Sequence, residues 1–156
     1  MKKILLIALF LIGAANLQAQ ELKWYTDVRE AITVSNKEQK PMLMFFTGSD
    51  WCGWCIRLQN EVLKTEEFKK WASTNVVLVE LDYPSKAVSQ TPELKNQNLE
   101  LQQAFAIQGF PTIFFTSAES KDGRVNFKGL GKTGYVAGGP SAWLTVAEGI
   151  LHPKKS

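Results

Sequence analysis

The chain of 156 residues has little of what most catalytic and metal sites are made from. It carries one histidine, His152, and two cysteines, Cys52 and Cys55. Together these fall short of the about four ligands that a zinc ion takes. An intrachain zinc site would need carboxylates or water to complete it. A metal reading otherwise rests on dimerisation or on copper. Charge is not in excess either: 18 Lys and Arg stand against 15 Asp and Glu, a balance that gives no footprint for nucleic acid. The glycines of "GLGKTGYVAGGP" lack the G-x-x-x-x-G-K-[ST] spacing of a phosphate loop. There is no internal repeat and no stretch with the composition of a disordered tail. At 45% hydrophobic and 21% charged, the chain is an ordinary globular one, long enough for a single domain with a sizeable core.

Long apolar runs are missing as well. The longest, Ile4 to Ala15, covers 12 residues, short of the roughly 20 that span a bilayer as a helix. It follows the basic "MKK" and precedes the polar "NLQAQ". That three-part pattern predicts a secretory signal peptide over residues 1–19, with cleavage after Ala19 and a domain from 20 to 156. Leu17 is larger than usual two positions upstream of that cut. A buried N-terminal helix or an uncleaved anchor is the alternative. No cysteine lies near the cut to accept a lipid. Loss of Lys2 and Lys3 would leave 16 basic residues against 15 acids, a net charge near +1. Export implies an oxidising compartment, periplasmic or extracellular, in which a cysteine pair is oxidised unless something reduces it.

The spacing of Val28, Ile32 and Val34 behind Asp27 predicts a helix from about Asp27 to Lys37, ending before Pro41. "MLMFFT" is an unbroken apolar run, as in a strand buried on both faces. "GSDW" is a turn, and a helix follows from Cys52. Thr65 caps a short helix with acids in its first turn. Val76 to Asp82 is a second buried strand. "YPSKAVSQTPELKNQ" is polar and carries prolines, which predicts a surface loop before a helix over "NLELQQAFAI". "PTIFFTS" is a third strand, and Asp122-Gly123 is a strong hairpin signal before "RVNFKGL". The Gly-rich stretch that follows is expected as a loop near the active-site rim, with Gly129 or Gly131 at its groove. Pro140 opens a last helix carrying Trp143, Leu144, Ala147 and Leu151. Strands joined by helices are expected to be parallel, with right-handed crossovers, and the final hairpin antiparallel. The fold class is α/β: a mixed central sheet with helices on both faces and a C-terminal β-hairpin plus helix.

The chemistry concentrates in "FFTGSDWCGWCIRL". Cys52 follows a buried strand and opens a helix, where unsatisfied N–H groups and the positive dipole end favour a thiolate. Cys55 is one turn along on the same side, within reach of a disulfide. Further into the helix, it should be less exposed. The asymmetry predicts roles: Cys52 attacks a substrate disulfide, and Cys55 resolves the mixed disulfide. A structural staple is the alternative, but a ring this small contributes only about 2 kcal/mol by loop-closure arithmetic. Downstream, "GFPT" sets Pro111 at a strand start, where its missing N–H is harmless.

"WCGWC" and "GFPT", about 55 residues apart with helix, strand and helix between them, together resemble the thioredoxin family, and more closely its small secreted members with a "DWCGWC" site. The resemblance covers roughly Asp27 to Leu151. It implies a thioredoxin fold, a cis bond before Pro111, and a substrate strand pairing with the backbone of Phe110 by β-augmentation. It implies too that Trp51, Gly53 and Trp54 form a flat apolar surface around Cys52 on which a protein substrate lies. Core packing is the alternative role for the tryptophans, more for Trp51 than for Trp54.

The chain also departs from that family. No acid stands from Met42 to Phe46, where the family has a buried Asp. Leu78 or Val79 stands where it has a Lys. Glu80 is the candidate proton acceptor for Cys55, although strand alternation leaves its direction open. Gly53-Trp54 replaces Gly-Pro, and the His of strong oxidants is missing. Lys and Arg do not crowd the motif; Arg57 is the nearest. The expectation is an exported protein thiol–disulfide oxidoreductase working in the reductase or isomerase direction. It needs no cofactor, because the cysteine pair is itself the redox group. Its partners would be proteins bearing disulfides and a membrane electron donor, without nucleic acid and without membrane insertion after signal cleavage. A non-catalytic module binding extended peptides or copper is the alternative.

Overall fold

The computed structural model describes residues 21–86 and 90–154; the expected leader lies outside the described residues. The elements run β1 (Trp24–Tyr25), α1 (Val28–Glu38), β2 (Met42–Thr47), α2 (Gly53–Leu58), α3 (Glu66–Asn75), β3 (Val77–Asp82), α4 (Pro92–Ala104), β4 (Thr112–Lys121), β5 (Arg124–Thr133) and α5 (Gly139–Leu151). A wider, π-type turn, Gln59–Leu63, continues α2. The five strands form one sheet in the order β1-β3-β2-β4-β5. β2 lies in its middle with all six residues buried, which accounts for its unbroken apolar run.

The sheet divides the core in two by side-chain alternation. Leu43, Phe45, Leu78, Ile113 and Phe115 face α2, α3 and α5, packing with Leu58, Phe68, Ala72, Trp143 and Ala147. Met42, Met44, Phe46, Val77, Val79 and Leu81 face α1 and α4, packing with Val28, Ala31, Ile32 and Leu101. The mixed sheet with helices on both faces is therefore as expected. The caps agree too: Asp27 accepts from the Arg29 N–H and Thr65 from the Phe68 N–H. Asp122 and Gly123 turn the hairpin with φ of 53° and 73°, both in the left-handed region that a tight two-residue turn requires.

Four expectations need correction. First, β4 is antiparallel to β2, although a helix joins it to β3. β3 leaves the sheet at Asp82, opposite Thr47, and β4 enters at Thr112, opposite Phe46. Both points lie at one end of β2, so the chain must run back the other way. Second, α4 starts inside the expected loop. Thr91 caps it, accepting from the Leu94 N–H, and Pro92 stands in its first turn, where proline's missing N–H is harmless. Third, Trp24 and Tyr25 add a short edge strand parallel to β3, too brief to show a period. Fourth, Gly129 and Gly131 belong to β5, not to a rim loop. A Cβ on Gly131 would stand 2.7 Å from Ile150 Cγ2, so this glycine lets α5 lie against the sheet. Gly134 is the one beside the site: a Cβ there would stand 3.1 Å from the Pro111 carbonyl oxygen.

Candidate active site

The site forms where β2 ends. The turn after Thr47 closes on Gly48, whose carbonyl accepts from the Cys52 N–H at 2.9 Å. Two carboxylates tie this turn to the end of β3 and the residues just after it. Asp82 accepts from the Ser49 N–H and hydroxyl at 2.9 and 2.6 Å, and Asp50 accepts from the Ser85 N–H and hydroxyl at 2.9 and 2.7 Å. Those bonds, the Ser85 N–H first, hold the Asp50 carboxyl below its ordinary range. Cys52 has extended backbone and is the residue that caps α2; its Sγ accepts from the Cys55 N–H at 3.2 Å.

Cys52 and Cys55 are joined as a disulfide with Cα atoms 5.2 Å apart, within the usual span for such a bridge. The two are not equivalent. Cys55 is fully buried, while Cys52 keeps 6% exposure. The peptide bond between Phe110 and Pro111 is cis, and β4 begins immediately after it, beside the last residues of β2. The two sequence strings about 55 residues apart thus meet at one end of the sheet.

Trp51 and Trp54 are 51% and 56% exposed, the two most exposed of the large apolar side chains among the described residues. The Trp51 ring lies over Gly48, its Nε1 donates to the Tyr83 carbonyl at 2.8 Å, and it meets Phe110 edge-on at 5.7 Å. Phe110 also packs on the Tyr83 ring at 5.2 Å. Trp54 lies 5.1 Å from the Tyr135 ring. Gly53 has no atom within 4 Å of where a Cβ would stand.

Glu80 turns toward the cysteine face. It pairs with Phe45 in the ladder and alternates with Leu78, which shares that face. It borders a small pocket with Trp24, Phe45, Gln59, Leu63 and Lys64. Burial, then the nearby Asp82 carboxylate, pushes its carboxyl above the ordinary range. Three side chains were not singled out from sequence as parts of the site: Arg57, Glu61 and Tyr135. The i, i+4 spacing of Arg57 and Glu61 on a helix was a readable signal; nothing local marks Tyr135. Among the described residues no three His, Cys, Asp or Glu side chains cluster as a metal site would require.

A buried strand, a turn, a helix opening on C-x-x-C and a cis-proline beside it define a thioredoxin fold bearing a redox-active cysteine pair, the architecture of thiol–disulfide oxidoreductases. A thioredoxin-like domain model matches residues 28–133, and the chain belongs to the thioredoxin-like family. The disulfide bond reductase DsbH of Chlamydia pneumoniae is 36% identical over 140 residues, covering 90% of this chain and 76% of that one. The thioredoxin-related protein DsbJ of the same organism is 34% identical over 110 residues, 70% of this chain but 31% of DsbJ. A solved structure of a DsbH oxidoreductase superposes with a TM-score of 0.75 at 34% identity, covering 98% of this chain and 96% of that one. The protein is a thiol–disulfide oxidoreductase.

Proposed function

We propose that the protein is an exported, periplasmic disulfide reductase acting on protein substrates and recharged by a membrane electron donor. The observation that carries this reading is the inequality within the pair, a slightly exposed Cys52 capping the helix and a fully buried Cys55 behind it. The Cys52 thiolate attacks one sulfur of a substrate disulfide. A Cys52–substrate disulfide forms, and the other substrate sulfur leaves as a thiolate and takes up a proton. Cys55 loses its proton and attacks Cys52 Sγ. The second substrate thiol leaves, and the Cys52–Cys55 bridge is restored. Two electrons pass to the substrate, and a dithiol donor must return two. Glu80 is our candidate for the Cys55 proton, on the strength of its sheet face and raised carboxyl pKa. Substrate backbone pairs with Phe110, next to Pro111, while Trp51, Gly53 and Trp54 carry the adjoining segment.

The reductase direction draws support from the name of the DsbH relative and from the missing histidine beside Cys52. An exported location draws support from the leader-like residues 1–19. Insulin reduction with dithiothreitol tests the activity: Cys52→Ser should abolish it, and equal activity of variant and wild type would sink the reading. Cys55→Ser should trap partner proteins on Cys52, and an extract that yields none counts against the assigned roles. Equilibration with glutathione tests direction. A potential near −250 mV fits a reductase, and one around −120 mV, the range of strong oxidants, does not.

A further inference from the structure

Trp54 projects from the first turn of α2 and is half exposed, yet it is held. Its ring packs on Tyr135 at 5.1 Å. The Arg57 guanidinium lies 5.4 Å from the Trp54 ring and 5.0 Å from the Tyr135 ring, within the range of a cation–π contact with each. Glu61 joins the set, accepting from Arg57 Nε at 2.6 Å and from the Tyr135 hydroxyl. Tyr135 comes from the segment after β5, 74 residues beyond Glu61, so the contact is made only in the folded chain. Trp51, on the other side of Cys52 in sequence, is anchored separately to Tyr83 and Phe110.

Two consequences follow from the pairing. A side chain held in one place loses less freedom when a partner lands on it than a free one does. The Arg57 charge is also matched by Glu61, so this rim offers ring faces and no net charge to attract an acidic segment. We infer that Glu61, Arg57 and Tyr135 are positioning residues that fix Trp54 as the specificity-determining side chain of the site. It selects protein disulfides whose cysteine has an apolar neighbour over those with an acidic neighbour and over small polar disulfides. This rests on the reading that Cys52 attacks substrate disulfides.

The test is the rate at which reduced protein reacts with three disulfides: a peptide with Leu and Phe beside its cysteine, the same peptide with Glu there, and glutathione disulfide. Trp54→Ala should lose about three- to ten-fold in kcat/KM on the apolar peptide, the worth of one aromatic contact, and lose it through KM. On glutathione disulfide, which makes no such contact, the same variant should lose clearly less than it loses on the apolar peptide. Glu61→Ala and Tyr135→Phe, which keep the ring but undo its anchor, should show part of the same KM rise. Circular dichroism would verify that each variant is folded. An equal fall on all three disulfides would show that Trp54 sets reactivity rather than choice and would overturn the inference. So would a Glu61→Ala variant with wild-type KM on the apolar peptide. A wild-type protein that reacts with none of the three, glutathione disulfide included, would instead overturn the functional reading beneath it.

Discussion

Gly48 and Gly53 stand on either side of Trp51 and Cys52, and an added methyl group should have opposite effects at the two. A Cβ on Gly48 would lie 2.3 Å from Trp51 Cε2 and 2.6 Å from its Cζ2 and Nε1. No contact that close can persist, so the indole must leave. Its Nε1 bond to the Tyr83 carbonyl would go, a loss of about 1 kcal/mol. The edge contact with Phe110 would go with it, about 0.5–1.5 kcal/mol more. Water can replace part of the hydrogen bond, because the ring is half exposed already, so the net cost of Gly48→Ala should be about 1–2 kcal/mol. For a domain of this size that is a fall in Tm of roughly 3–8 °C. Gly53→Ala meets nothing and should leave stability unchanged or raise it by about 0.5 kcal/mol through the unfolded state. Thermal melts of the two oxidised variants, followed by circular dichroism and by tryptophan emission, would decide. A Gly48→Ala protein melting with wild type, or a Gly53→Ala protein falling as far, would refute the seat assigned to Trp51.

Glu80→Gln should be more stable than wild type at pH 8, with the gap closing near pH 4. A raised carboxyl pKa means that the unfolded chain, titrating near 4.5, ionises first as pH rises, so wild type loses stability over that interval and the amide does not. Denaturant melts at the two pH values would show it, and a gap independent of pH would count against burial as the cause. Trp143→Leu should cost about 2–4 kcal/mol, because Trp143 is fully buried and donates to the Gly134 carbonyl at 3.1 Å; urea unfolding measures it, and a loss under about 1 kcal/mol would contradict the packing. Gly123→Val should destabilise by about 1–2 kcal/mol, since φ is 73° there, whereas Gly123→Asn should be milder; equal effects would argue against the turn geometry.

What could be read in advance was whatever neighbours in sequence decide. Asp27, Thr65 and Asp122-Gly123 mark a cap, a cap and a turn because their hydrogen bonds and dihedrals close over a few residues. The apolar run of β2 announces a strand covered on both sides. The start of α4 is hidden for a related reason: its first turn is largely exposed and carries proline and charge, a composition it shares with loops, and only the Thr91 cap marks it as helix.

Two cysteines three apart at a strand-to-helix junction, together with "GFPT" downstream, are enough to point to the thioredoxin-like family and to thiol–disulfide chemistry. The rest follows from how distant segments pack together. β4 runs antiparallel because of where the chain re-enters the sheet. Glu80 lies on the sheet face that packs with the cysteines because of its register against Phe45. Tyr135 reaches Glu61, and so Trp54, only when the last connection folds back over α2. Each depends on which distant segments share an end or a face of the sheet, and no local pattern of residues carries that information.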